Sequence, residues 1–362
     1  MPTEVNKVPD DPPHFGDWQP TGRSRLAGAL VVPGGEQHRR ARRTRRRRAL
    51  PVAAVVGLLA LVPAAASAAP AVQSRAASAP LPTPRPLKPF AGTSLAGQGT
   101  WHAVGRSVDD HSVVYETVLA VPQEPGVVAG IARMDTKLLR PTLYSGSISP
   151  GGFGWKYTAP VQTSAARTLV AAFNGGFQFP STDGGYFSEG KLVFPLRVGA
   201  ASLVIYKNGS ALIGQWGRDA TMTPNVVAVR QNLNLLVDHG KPVPGLNPYD
   251  IWTWGPTLGG IPDVWRSGLG ETANGAFVYV AGPSLTVVAL AALLVSARVT
   301  RAMELDINPW WTFLSTFTPP TPTGLAWPQT GTDLLPGMIG TAARFFDPSW
   351  ARDFITMSAR SA

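Results

Sequence analysis

Two acids stand two residues apart near the end of the run Arg301-Ala302-Met303-Glu304-Leu305-Asp306-Ile307. Read as a strand, this run projects Glu304 and Asp306 from one face, about 6.6 Å apart at ~3.3 Å of rise per residue. Met303, Leu305 and Ile307 then enter the apolar layer, and both carboxyls point to a cleft or to solvent just before Asn308-Pro309, the strand end where open α/β sheets bind ligands. Paired carboxylates raise each other's pKa and can divide acid and base work. The same spacing also suits a solvated edge or a structural salt bridge. Arg266, in Trp265-Arg266-Ser267-Gly268, offers a planar fork that fits phosphate, or else makes an ordinary surface salt bridge. Asn174-Gly175-Gly176-Phe177 follows the apolar run Thr168 to Phe173, where paired glycines let backbone amides approach an anion or simply make a tight turn. Indoles at Trp310 and Trp311, with Trp252, Trp254 and Trp265, can serve as sugar platforms or fill the core.

These residues need a sheet to hold them. Val113 to Val121, Val127 to Met134, Thr168 to Phe173, Ser202 to Tyr206 and Val226 to Val229 are short, β-branched or aromatic, and bounded by Gly, Pro or Asn. Asn208-Gly209 between two such runs predicts a hairpin with a type I′ turn. Later, Ala276 to Ala281 reads as a strand, Gly282-Pro283-Ser284 as a turn with an N-cap, Leu285 to Arg298 as a buried helix and Arg301 to Ile307 as a second strand. The predicted class is α+β: a mixed β-sheet core with this strand-helix-strand unit in the C-terminal third, preceded by a single membrane-spanning helix. Leu334 to Ala362 reads either as a covering lid or as a helix on the sheet.

The membrane expectation rests on residues 49–69, about 21 residues without a charge, long enough to cross a ~30 Å hydrocarbon layer. Eight arginines between Arg39 and Arg48 precede it, which by the positive-inside rule holds the N-terminus in the cytoplasm. Residues 1–48 are expected as a disordered basic cytoplasmic arm, 49–69 as a transmembrane helix or uncleaved signal anchor, 70–89 as a Pro/Ala-rich linker, and 90–362 as the extracytoplasmic domain, secreted if cleavage falls near Ala69. Of the net charge of +10, the first 48 residues carry +6. The remainder is too mildly basic for a nucleic-acid partner. The absence of cysteine excludes disulfides, thiolate zinc sites and a cysteine nucleophile.

Four ordered segments between about Leu169 and Asn308 resemble the phosphodiester glycosidase family, which includes the enzyme that uncovers mannose 6-phosphate. They are Asn174-Gly175-Gly176-Phe177, Leu236-Val237-Asp238-His239-Gly240-Lys241-Pro242, Arg266-Ser267-Gly268-Leu269-Gly270 and Ala302-Met303-Glu304-Leu305-Asp306. This sequence departs from the family in two places. Glu304 replaces an Asn, and Ile307-Asn308-Pro309-Trp310-Trp311 replaces a Gly-Gly-Gly-Ser strip. The resemblance implies a hydrolase acting on the sugar-phosphate bond of a glycosyl-1-phosphodiester in envelope glycans or their precursors. Asp306, Glu304 and Arg266 would be catalytic, while Asn174, Gly175, Gly176, Ser267, His239, Asn308 and Trp310 would bind substrate. Arg266 would hold the phosphate and the two acids would face the sugar, with their roles open between them. No cofactor is expected; a Ca²⁺ or Mg²⁺ beside Asp306 stays open, with no loop of alternating acids to support it. The rival readings are a non-catalytic module that binds cell-envelope polysaccharide and a structural membrane-surface protein.

Overall fold

The computed structural model describes residues 79–360, apart from 123, 125, 152, 153, 180, 258 and 259. The basic arm and the apolar span at 49–69 lie outside these residues. Among the described residues no helix is long and apolar enough to cross a membrane. In chain order the strands are β1 His102–Val104, β2 Val114–Ala120, β3 Val128–Met134, β4 Leu139–Tyr144, β5 Leu169–Asn174, β6 Tyr186–Ser188, β7 Lys191–Phe194, β8 Ala201–Tyr206, β9 Ala211–Gln215, β10 Val226–Gln231, β11 Leu235–Asp238, β12 Lys241–Pro242, β13 Val264–Thr272, β14 Phe277–Leu285, β15 Val299–Ile307, β16 Leu314–Phe317, β17 Gly331–Asp333 and β18 Phe354–Ala359. The helices are α1 Thr163–Ala166, α2 Ile251–Trp254 and α3 Val287–Ser296.

The strands form three sheets, ordered β1-β2-β3-β14-β13-β15-β11-β12, β7-β6-β10-β8-β9 and β17-β16-β5-β18-β4. Each of the first sheet's central pairings, β3·β14, β14·β13 and β13·β15, is antiparallel. The expected mixed α+β sheet with an adjoining parallel pair is therefore corrected to a fold of three antiparallel sheets. β14 and β15 do run parallel, but β13 lies between them. Glycines explain how a strand fits there. A Cβ at Gly268 would meet Leu294 at 3.2 Å and one at Gly270 would meet Val299 at 2.3 Å, so bare backbone is what lets neighbouring side chains close over β13.

Helix α3 starts later than expected, because β14 continues through Gly282-Pro283-Ser284 to Leu285. Its N-cap is Thr286, whose hydroxyl accepts from the Ala289 amide. Val287, Leu290, Ala291, Leu293 and Leu294 are buried against one face of the first sheet, in a cluster with Leu236, Val278, Val280 and Ala302. The other face shares a larger core with the third sheet, through Met303 and Leu305 of β15, Tyr279 of β14, Phe173 of β5 and Phe354 of β18.

Residues 334–362, read as lid or helix, supply β18, a strand inside the third sheet between β5 and β4. Part of the stretch read as linker is docked on the domain: the Leu81 amide donates to Asp135, the Leu87 amide donates to the Gly99 carbonyl, and the Leu87 side chain is buried.

Candidate active site

Asn174 closes β5 and knits three strands together. Its amide nitrogen donates to the Gly175 carbonyl at 2.9 Å and to Ser267 Oγ of β13 at 3.0 Å. Its oxygen accepts from the Tyr279 hydroxyl at 2.7 Å and from the Phe313 amide at 3.2 Å. Ser267 Oγ donates onward to the Asp306 carbonyl at 2.7 Å, and the Asp306 amide returns to the Gly175 carbonyl at 3.0 Å. All of these polar atoms are buried, so each bond removes a desolvation cost. Asn174 and Ser267 thus position the Asp306 backbone.

The Gly175-Gly176 turn is wedged among charged side chains. A Cβ at Gly175 would sit 2.1 Å from Asp353 Oδ2, and one at Gly176 would sit 2.9 Å from Arg230 Cζ. Around the turn runs a buried chain of alternating charge. Arg352 Nη2 donates to Asp306 Oδ2 at 2.5 Å and to the Gly176 carbonyl at 3.1 Å. Arg230 Nε donates to Asp353 Oδ2 at 2.8 Å, and its other nitrogens donate to the Gln231 and Phe177 carbonyls. Arg230 and Asp353 are each 1% exposed, Asp306 and Arg352 each 4%. The Arg352 guanidinium lies 4.9 Å above the Trp311 ring and that of Arg230 lies 4.3 Å from Phe179. Burial pushes the Asp306 carboxyl up to about 7, against the opposing pull of Arg352 and of the Ile307 amide. Burial likewise lowers the pKa of Arg352. Its Nε has no partner among the described residues.

Glu304 and Asp306 do not share a face. Arg266 pairs with Ile307 and Gly268 with Glu304, so two steps along β13 correspond to three along β15. This bulge breaks the period-2 alternation, and a one-residue slip sends a side chain to the opposite side. Glu304 stands opposite Gly268, whose missing side chain would meet Leu290 and Leu294, so it faces the α3 layer. There Arg266 Nη1 donates to Glu304 Oε1 at 2.5 Å and to the Trp254 carbonyl at 3.3 Å, while Nε and Nη2 donate to the Leu285 and Pro262 carbonyls. Both side chains are sealed, at 1% and 0% exposure. Burial pushes Glu304 up to about 7 despite Arg266. The structure therefore joins Arg266 to Glu304 and removes both from the hollow expected to hold them with Asp306.

The other expected residues scatter. His239 sits 79% exposed at the β11–β12 turn beside Asp238, in a surface cluster with Arg218, Asp219 and Arg301. Asn308, at φ 74°, turns the chain after β15, and its amide donates to the Trp265 carbonyl at 2.7 Å. Trp310 is half-buried in that turn, but the indole under the guanidinium is that of Trp311. The sequence reading passes over Arg230 and Asp353 and takes Arg352 only as a packing residue of the C-terminal stretch. A charge inside or directly before a β-branched strand, as in Val226-Val227-Ala228-Val229-Arg230 or Arg352-Asp353-Phe354-Ile355-Thr356, is the signal that could have found them.

Among the described residues no three His, Asp or Glu side chains converge as metal ligands. A separate concavity of about 180 Å³, lined by Thr100, His102, Glu116 and Leu334, lies at the far edge of the first sheet, four strands from β15, and shares no residue with the Asp306 cluster.

No family model and no curated protein matches this chain. Among solved structures, the catalytic domain of zebrafish N-acetylglucosamine-1-phosphodiester alpha-N-acetylglucosaminidase, auto-inhibited by its pro-peptide, is similar at 14% identity and a TM-score of 0.41, over 72% of this chain and 88% of that one. A hypothetical protein from Synechocystis is similar at 13% identity and a TM-score of 0.39, over 68% of this chain and 62% of that one.

Proposed function

We propose that this chain hydrolyses the bond between a sugar and phosphate in a glycosyl-1-phosphodiester, with Asp306 and Arg352 as the reacting pair. The observation that supports the reading is a carboxylate at the end of β15 whose partner is a buried arginine with one N–H still unpartnered. A phosphodiester entering beside Trp311 would take the Arg352 fork, for which phosphate is a better bidentate partner than one carboxylate oxygen. That exchange releases Asp306 to face the anomeric carbon. Water then adds to this carbon as its bond to the phosphate oxygen breaks. The bonding pair leaves on phosphate, and the proton of the water passes to Asp306. Because a phosphate monoester leaves readily as an anion, one carboxylate suffices, and Glu304 is not needed on that side of the sheet. Arg266 and Glu304 act beneath the site as an internal ion pair.

The test is release of free sugar from a panel of sugar-1-phosphate diesters by the purified full chain. Turnover that disappears in Asp306→Asn and Arg352→Ala supports the proposal, and turnover that survives both overturns it. The near-complete closure of Asp306 and Arg352 favours a second reading, a non-catalytic polysaccharide-binding module. Under that reading the parent protein releases no sugar from any member of the panel.

A further inference from the structure

Tyr249 and Trp252 are 77% and 88% exposed, a large apolar area to leave in water on one short loop. The loop is nevertheless tightly held. Asn247 Oδ1 accepts from the Tyr249 amide at 3.0 Å, and Asp250 Oδ1 caps α2 by accepting from the Thr253 amide at 3.1 Å. The Trp254 carbonyl accepts from the buried Arg266. Gly255, at φ 91°, lies so close to Phe177 that a Cβ would come within 2.3 Å of its ring and 3.5 Å of Ile307. Phe177 and Ile307 are the chain neighbours of Gly176 and Asp306. Two residues lie between Trp252 and Gly255, so the three steps span at most about 10 Å of chain. The two exposed residues therefore stand on a braced loop whose C-terminal end reaches Arg266 and the α3 side of the sheet and packs against Phe177 and Ile307, the neighbours of Gly176 and Asp306.

From this geometry we propose that Tyr249 and Trp252 form a second carbohydrate subsite, which takes neutral sugar units of a chain extending from the scissile residue. The inference rests on the preceding reading for the identity of that residue. The occupant follows from the chemistry of the loop. Flat indole and phenol faces match the apolar C–H faces of pyranose rings, while sugar hydroxyls can donate to nearby carboxylates. The loop itself, residues 243–255, carries Asp250 and no Lys or Arg, so it offers no cation to an anionic lipid surface, a nucleic acid or an acidic polymer.

The test is affinity electrophoresis of the full chain through gels containing dextran, mannan or arabinogalactan. At least one of these should retard the parent protein, and Trp252→Ala and Tyr249→Ala should each weaken that retardation at least tenfold while circular dichroism stays unchanged. Trp252→Phe should restore part of it. The proposal is overturned if none of the three retards the parent, or if Trp252→Ala is retarded as strongly as the parent. It is also overturned if the Trp252→Ala defect proves to be lost self-association on sedimentation or lost binding to phosphatidylglycerol vesicles. Retardation that depends on Trp252 in a protein releasing no sugar from any phosphodiester supports the subsite and overturns the hydrolase. Hydrolysis without retardation overturns the subsite alone.

Discussion

Replacing Gly175 by Ala should break the buried charge chain without touching a charged residue. The new Cβ would lie 2.1 Å from Asp353 Oδ2, 2.5 Å from its Cγ and 2.8 Å from its backbone oxygen. To reach ordinary contact at 3.4 Å the carboxylate must retreat by about 1.3 Å. That opens its 2.8 Å contact with Arg230 to roughly 4 Å, the limit of an ion pair. Neither side chain has water to turn to, and breaking a buried pair costs about 3–5 kcal/mol. For a domain of this size the fall in Tm is about 6–20 °C. Gly176→Ala should cost less, since its nearest obstacles are the far ends of the Arg230 and Asn232 side chains, at 2.9 Å and 3.1 Å. Urea unfolding monitored by tryptophan fluorescence measures both. A loss below about 1 kcal/mol for Gly175→Ala, or the reverse order of the two variants, would refute the claim that these glycines exist to admit the ion pairs.

Four further outcomes are expected. Arg352→Ala should lower kcat/KM for a sugar-1-phosphate diester by about 10²-fold or more, with Arg352→Lys recovering only part, because one point charge does not reproduce the fork. Glu304→Ala should destabilise the fold by about 3–5 kcal/mol by stranding Arg266, whereas Arg266→Met with Glu304→Leu should come much closer to the parent in urea. Stability should rise as pH falls from about 7 towards 4.5, because Asp306 and Glu304 have folded pKa values raised to about 7, so the folded chain binds protons that the unfolded chain does not; urea midpoints that climb with pH over this window would contradict it. Hydrolysis should decline below about pH 7 as Asp306 takes up the proton it must be free to accept, and a rate independent of pH between 5 and 8 would argue against Asp306 as base.

Much of the sheet was legible because β-branched runs bounded by glycine carry their own pattern, as at Val128–Met134 and Leu169–Asn174. β13 was not legible as a strand. Arg266, Gly268 and Gly270 look like loop chemistry until the facing side chains that need bare backbone are known. The Asn208-Gly209 hairpin formed, but only Gly209 has positive φ, so the turn is not the expected type I′. Around the site, local sequence points to Asn174 and Asp306, and Ser267 links the Asn174 side chain to the Asp306 backbone. The pairing of Glu304 with Asp306 was misread because strand periodicity assumes an unbroken register, and the bulge is set by pairing with β13. Arg352 and Asp353 come from a segment 46 residues or more beyond Asp306; local sequence marks them as charges beside a strand but does not say which residues they pair with.

Because β18 lies between β5 and β4, translation releases the first and last members of that trio far apart in time. Until residues 354–359 leave the ribosome, β4 and β5 have no common neighbour, and Asp306 and Arg230 wait without the counter-charges that residues 352 and 353 bring. β18, synthesised after both of its neighbours, thus works as a latch, closing a sheet and neutralising its charged centre in one step. A nascent or clipped product lacking it would present open strand edges and uncompensated charge to the quality-control machinery of the cell.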